Sequence, residues 1–312
     1  MFIFAGCASW GAASAEEYYT IGMAYYDMGK FDEAEKWLNR ARAKDRTMNA
    51  SEYNLGRIAF ETGRFEDAAK QFESILKRDP VNVMALQAAA YTYIRIGDME
   101  KASALYDRVL KLIPESADDG YNYALVLLAM KRYEEAEEVL KKHEIALLEN
   151  QDVLLLFART QKELDKVEAL DSYDKWLANN TNAKVSFEYA ELLEKYEYFA
   201  KAIDVYRETE EELTDSSTDP SKFDAGFQIG RLLLIADKDS TEGITELKKI
   251  VEHGFADTEA MEQLLEDDRI SQVNIESIET LIVEMHRAKE AAEIAGDEPE
   301  DEETEEMEET EE

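Results

Sequence analysis

The 312-residue chain has one cysteine, three histidines and four prolines, and only 35 basic residues against 71 acids. A single cysteine cannot close an internal disulfide, so no bridged framework is available. His143, His253 and His286 are far apart in sequence, and none sits in a cluster with metal-ligand spacing. No stretch approaches the ~20 consecutive apolar residues of a transmembrane helix. The net charge of −36 leaves no basic stripe to neutralise phosphates and release counterions, which argues against a nucleic-acid partner. No segment alternates apolar and polar residues long enough to make a strand. No glycine loop of the phosphate-cradling kind occurs. Acid pairs such as Asp118-Asp119 are too common in so acidic a chain to mark acid–base chemistry. No catalytic constellation emerges, so the expectation is a non-enzyme with no cofactor and no metal.

What is present is a period. Gly22, Gly56, Ala90 and Ala124 recur every 34 residues. So do Gly29, Gly63, Gly97 and Lys131, and likewise Ala34, Ala68, Ala102 and Ala136. Larger residues keep step at Leu38, Phe72, Tyr106 and Leu140, and at Phe31, Phe65, Met99 and Tyr133. Pro80 and Pro114 close two of these units. A fixed period of roughly 20–50 residues marks a stacked-repeat protein. Within each unit, segments such as YYTIGMAYYDM and FDEAEKWLNRA carry apolar residues at helical spacing on either side of a turn. Gly56 on the first helix and Ala68 on the second would let two antiparallel helices approach closely. Gly63 suits the tight turn because glycine takes positive φ without steric cost. Asp32, Glu33, Glu66 and Asp67 fall in first turns, where negative charge favours the helix N-terminus. His143 stands at the second-helix position of Ala41 and is expected to pack or cap there.

Leu55-Gly56, Ala68, Phe72 and Pro80 resemble the tetratricopeptide-repeat (TPR) pattern, a 34-residue helix–turn–helix. The resemblance implies an all-α fold: a right-handed α-solenoid superhelix of six to seven stacked helix hairpins with C-terminal capping helices. Four strong repeats span 15–48, 49–82, 83–116 and 117–150. Weaker copies follow at 151–182 (Ala158, Ala169, Tyr173, Trp176), 183–216 (Ala190, Phe199, Ala202, Tyr206) and 222–256 (Ile229-Gly230, Gly243, Leu247). Capping helices over 257–294 complete a single solenoid, 15–292, with a loop or hinge near 212–224. The resemblance also implies a concave face lined by first-helix residues that binds a protein or peptide. Carried over position by position, it offers Tyr19, Met23 and Tyr26, then Tyr53, Asn54, Arg57 and Phe60. Gln87, Tyr91, Ile94 and Arg95 follow, and then Tyr121, Asn122 and Leu125. Some of these belong to packing between repeats. Certain family members clamp a C-terminal carboxylate with Lys, Asn and Arg. This chain has Tyr19, Met23, Met84 and Ala88 at those places, so that mode is rejected.

The ends carry two further expectations. MFIFAGCASWGAASAEE sets Cys7 after Phe-Ala-Gly and resembles a bacterial lipobox, so Cys7 is the expected lipidation site and 1–14 the residual signal and tether. Only six residues precede Cys7 and none is basic, which departs from a full signal. At the other end, 297–312 holds twelve acids and no base. A disordered acidic tail is expected over 295–312. Together these imply a membrane-anchored TPR lipoprotein facing the periplasm and docking partner proteins in an envelope assembly. A cytoplasmic TPR adaptor and an accessory protein of a solute-binding transport system stay open.

Overall fold

The computed structural model describes residues 13–143, 149–237 and 241–296. Cys7 and the acidic stretch from Asp297 lie outside the described residues. Among these residues the chain forms sixteen α-helices and no strand. Their contacts gather into two units, Met1–Ser172 and Tyr173–Glu312.

The first unit is built from helix hairpins. α1 (Ala15–Asp27) pairs with α2 (Phe31–Lys44), α3 (Asn49–Glu61) with α4 (Phe65–Arg78), α5 (Val83–Ile96) with α6 (Met99–Leu112), and α7 (Ala117–Ala129) with α8 (Tyr133–Lys141). α9 (Gln151–Glu163) packs on α8, and the division into units falls within α10 (Ala169–Leu177). Starts are chemically marked. Ser14 and Glu17 form a reciprocal capping box on α1, and Asn82, Ser116 and Asn150 cap α5, α7 and α9.

The 34-residue period becomes an interior. Ala34, Ala68, Ala102 and Ala136 are fully buried on the second helices. The first-helix glycines make room for something larger than those alanines. A Cβ on Gly22 would stand 2.8 Å from Leu38 Cγ, and one on Gly56 would stand 2.6 Å from the Phe72 ring. Gly56 therefore admits the aromatic one turn beyond Ala68. Later repeats replace glycine by Ala90 and Ala124, both fully buried. Gly120 shows the same trade in another place, since a Cβ there would stand 2.4 Å from His143 Nε2. His143 is thus buried as a packing residue.

The hairpin turns repeat as strictly. Gly29, Gly63 and Gly97 have φ of +69°, +76° and +89°. The backbone bonds Gly63 N–H to Phe60 O and Arg64 N–H to Ala59 O satisfy the last carbonyls of α3. The next repeat keeps this conformation without glycine: Lys131 has φ 58°, donating to Leu128 O, and Arg132 donates to Leu127 O. Asp165 (φ 54°) and Glu197 (φ 63°) continue the series. An L-residue there costs roughly 1–2 kcal/mol, partly offset by the entropy glycine loses on folding. Lys131→Gly, Asp165→Gly and Glu197→Gly are each expected to raise stability by about 0.5–1 kcal/mol in denaturant melts.

The second unit holds α11 (Ala183–Lys195) against α12 (Phe199–Glu212) and α13 (Lys222–Ala236) against α14 (Thr241–Glu252). Gly243 replaces the second-helix alanine, and a Cβ on it would stand 2.8 Å from Gly230 O. The Ser/Thr/Asp-rich stretch is the connection 213–221. It is tied by Lys222 to Asp215 at 2.9 Å and Lys184 to Asp219 at 2.6 Å. α15 (Thr258–Gln263), a 3₁₀ turn (Leu264–Glu266) and α16 (Gln272–Gly296) close the unit. Met261, Leu264, Ile278, Leu281 and Met285 seal its core with Leu247 and Ile250.

Candidate functional site

The 34-residue register places first-helix residues in rows. Tyr19, Tyr53, Gln87 and Tyr121 form one row, Met23, Arg57, Tyr91 and Leu125 a second, and Tyr26, Phe60 and Ile94 a third. Helical geometry explains the grouping, since residues three and four apart share a face. Five of these candidates, Tyr19, Met23, Tyr53, Asn54 and Arg57, line one cleft of about 400 Å³ in the first unit. Met84, Asn49, Ala50, Asn82 and Ile75 complete it. The sequence reading missed Met84 as a candidate. It repeats the position of Ala50, one turn before Gln87, so extending the rows by a turn finds it.

The cleft is held by a short polar chain. Asn54 is only 5 % exposed. Its Nδ2 donates to Tyr19 Oη at 3.2 Å and to Ala50 O at 2.9 Å, while Arg57 Nη1 donates to Asn54 Oδ1 at 3.3 Å. Asn54 therefore positions Tyr19 and Arg57. The Arg57 guanidinium lies 4.7 Å over the Tyr26 ring, and Tyr26 contacts Phe31. One repeat on, Arg95 lies 4.7 Å over Phe65, and Phe60 packs on Tyr91 at 5.4 Å. Rings and guanidinium groups thus alternate along the face, each pair worth roughly 0.5–1 kcal/mol where exposed.

The remaining candidates divide. Tyr53, Phe60, Ile94 and Tyr121 pack partly against the main core, and Tyr19, Met23 and Tyr26 against the cluster of the first hairpin. Gln87 Nε2 donates to Asp119 Oδ2 at 2.8 Å, joining α5 to α7. Asn122 is half-buried. Tyr91, Leu125 and Met84 are 49 %, 40 % and 59 % exposed. Among the described residues, no group of three or more His, Cys, Asp and Glu could hold a metal ion, and no helix is long and apolar enough to cross a membrane.

A tetratricopeptide-repeat family model matches residues 19–83 and again 53–117. Residues 19–117 thus match the tetratricopeptide-repeat family. A model of subunit 3 of the anaphase-promoting complex, or cyclosome, also matches residues 95–175. Among solved structures, the TPR chain is similar to a tetratricopeptide repeat protein from Parabacteroides merdae ATCC 43184, with a TM-score of 0.52 and 21 % identity, covering 80 % of this chain and 97 % of that one. It is also similar to a double mutant of MamA RS-1, with a TM-score of 0.50 and 18 % identity over 54 % of this chain and 94 % of that one. At these identities the likeness speaks to the fold. A curated relative, an uncharacterized lipoprotein of Treponema pallidum (strain Nichols), is 26 % identical over 161 residues, which are 52 % of this chain and 82 % of the relative. The TPR fold is that of a protein–protein interaction scaffold.

Proposed function

We propose that this TPR protein docks partner proteins through the first-helix face of α1, α3 and α5, and that it does so as a lipid-anchored component of a bacterial envelope assembly. The observation that carries the docking reading is the cleft itself. Aromatic, Met and Arg side chains, the types favoured at interfaces, line it without being wholly consumed by the core. The TPR fold supports a scaffold rather than an enzyme. Cross-linking pull-down from the native membrane fraction is expected to capture a partner with the native chain and to lose it with Met84→Ala/Tyr91→Ala. Capture that survives both substitutions would move docking to another surface.

Anchoring through Cys7 on the periplasmic side is supported by the lipobox-like FAGC and by the lipoprotein among the relatives. Several acyl chains would hold the protein stably at a membrane surface, whereas one would be marginal. In the native cell, labelled palmitate is expected to enter the wild type and not Cys7→Ser, which should also shift from the membrane to the soluble fraction. Equal label in both would remove the anchor and favour the cytoplasmic adaptor.

A further inference from the structure

Charge is distributed very unevenly along this chain. Residues 15–114, within the first three repeats, hold sixteen acids and fifteen bases, a net of −1. Residues 115–312 hold 55 acids and 20 bases, a net of −35. The near-neutral part is the part that carries the cleft.

Within it, two first-helix arginines stand apart. Arg64 is paired with Glu35 and Arg78 with Glu52. Arg57 and Arg95 have no described carboxylate within 4.0 Å, although acids outnumber bases two to one in the whole chain. Both sit over aromatic rings, Arg57 over Tyr26 at 4.7 Å and Arg95 over Phe65 at 4.7 Å and Phe60 at 5.7 Å. A stacked guanidinium keeps its in-plane N–H donors directed outward, in the fork that matches a carboxylate. Arg57 uses one of them on Asn54. In the second unit the comparable groove contains Arg231 already paired to Glu194 at 2.6 Å. In the 34-residue register exposed Tyr91 takes the place of Arg57, one turn before Arg95, while exposed Met84 and half-buried Tyr53 lie nearer the N-terminal ends of α5 and α3 than either arginine.

From this arrangement we infer the class of partner: an extended peptide segment with an aromatic or aliphatic anchor flanked by Asp or Glu side chains. The anchor enters the cleft at Tyr53 and Met84, and neighbouring carboxylates meet Arg57 and, farther along the same face, Arg95. The inference rests on the docking reading above. The clamp positions for a terminal carboxylate hold Tyr19, Met23, Met84 and Ala88, so the acids recognised are side chains and the peptide need not end there. The acidic stretch 297–312 offers twelve acids but only Met307 as an anchor, which suits the apolar cleft poorly.

Three labelled, C-terminally amidated dodecapeptides test this by fluorescence anisotropy with the full chain. One carries a central Phe between Glu/Asp flanks, one the same Phe between Gln/Asn flanks, and one the acidic flanks without Phe. The first should bind at least 10-fold tighter than either control at 50 mM salt and lose most of that margin at 500 mM. Arg57→Gln/Arg95→Gln should bring it down to the Gln/Asn level with the helical fold retained, while Lys70→Gln/Lys111→Gln on second helices should not. Equal binding of the Gln/Asn peptide, or of the peptide without Phe, overturns the inference. So does at least 5-fold tighter probe binding after removal of 297–312, which would make the chain's own tail the occupant. If the Gln/Asn peptide binds equally and Met84→Ala/Tyr91→Ala abolishes it, the docking face stands and only its acid selectivity falls. If no first-helix substitution alters binding of any peptide, both fall.

Discussion

Phe72→Ala should cost about 4 kcal/mol, and Gly56→Leu about 3 kcal/mol, yet the double substitution should cost clearly less than their total. Phe72 is one of the largest fully buried side chains of the first unit, and its ring fills the space that the missing Cβ of Gly56 leaves open. Truncating it leaves a cavity between α3 and α4 that their neighbours cannot close, because close-packed interiors relax only partly. Adding a leucine at Gly56 does the opposite: the first new carbon would already stand 2.6 Å from Phe72 Cε1. Tyr53 packs at a tilt against the same ring at 5.5 Å, which limits where Phe72 can retreat. Placing the bulk on α3 and the small residue on α4 conserves volume, and a coupling of at least 1 kcal/mol is expected from urea melts of all four proteins. Strict additivity would show that these two positions do not share one packing site.

That pair also shows how far the sequence could be read. The 34-residue recurrence of small residues was enough to set the hairpins, their turns and the second-helix alanines, because close helix approach and positive φ admit few residue types. It also placed His143 in a packing position. It could not tell what each glycine faces. Gly56 was matched with Ala68, and only the structure shows that Phe72 claims the space. Nor could it reveal that Lys131, Asp165 and Glu197 keep a left-handed turn without glycine, since surrounding packing overrides local preference there. The candidate face was legible as rows of residues, but not the division of those rows between core and cleft. Tyr53 and Tyr91 share a residue type and a helix face, yet one packs on the core and the other is half exposed. That difference depends on how neighbouring hairpins are set against one another, which no single-repeat pattern encodes.

Arg78→Leu alone should destabilise the fold by about 3 kcal/mol, whereas Glu52→Leu/Arg78→Leu should return it to within about 1 kcal/mol of the wild type. Glu52 is 7 % exposed within α3 and is ion-paired to Arg78 of α4. Arg78 also donates to Asn49 Oδ1 at 3.0 Å and to Ser74 Oγ at 3.2 Å. Removing the arginine strands a carboxylate in a place water barely reaches, and an unpaired buried charge is far costlier than the pair is stabilising. Arg78 is itself partly exposed, which keeps the expected loss at the lower end of the range for buried pairs. The protein already carries apolar residues at these two places of the repeat. One period later the same two places are Leu86, fully buried, and Leu112, partly exposed. The double substitution therefore writes the third repeat's solution into the second, exchanging desolvated charges for hydrophobic contact of the kind that often proves neutral or better. The comparison is read from chemical melts of the four proteins at neutral pH. A single Arg78→Leu variant as stable as the wild type would mean that Glu52 reaches solvent or another cation. A double variant as damaged as the single one would mean that Arg78 stabilises α4 through Asn49 and Ser74, not through its charge.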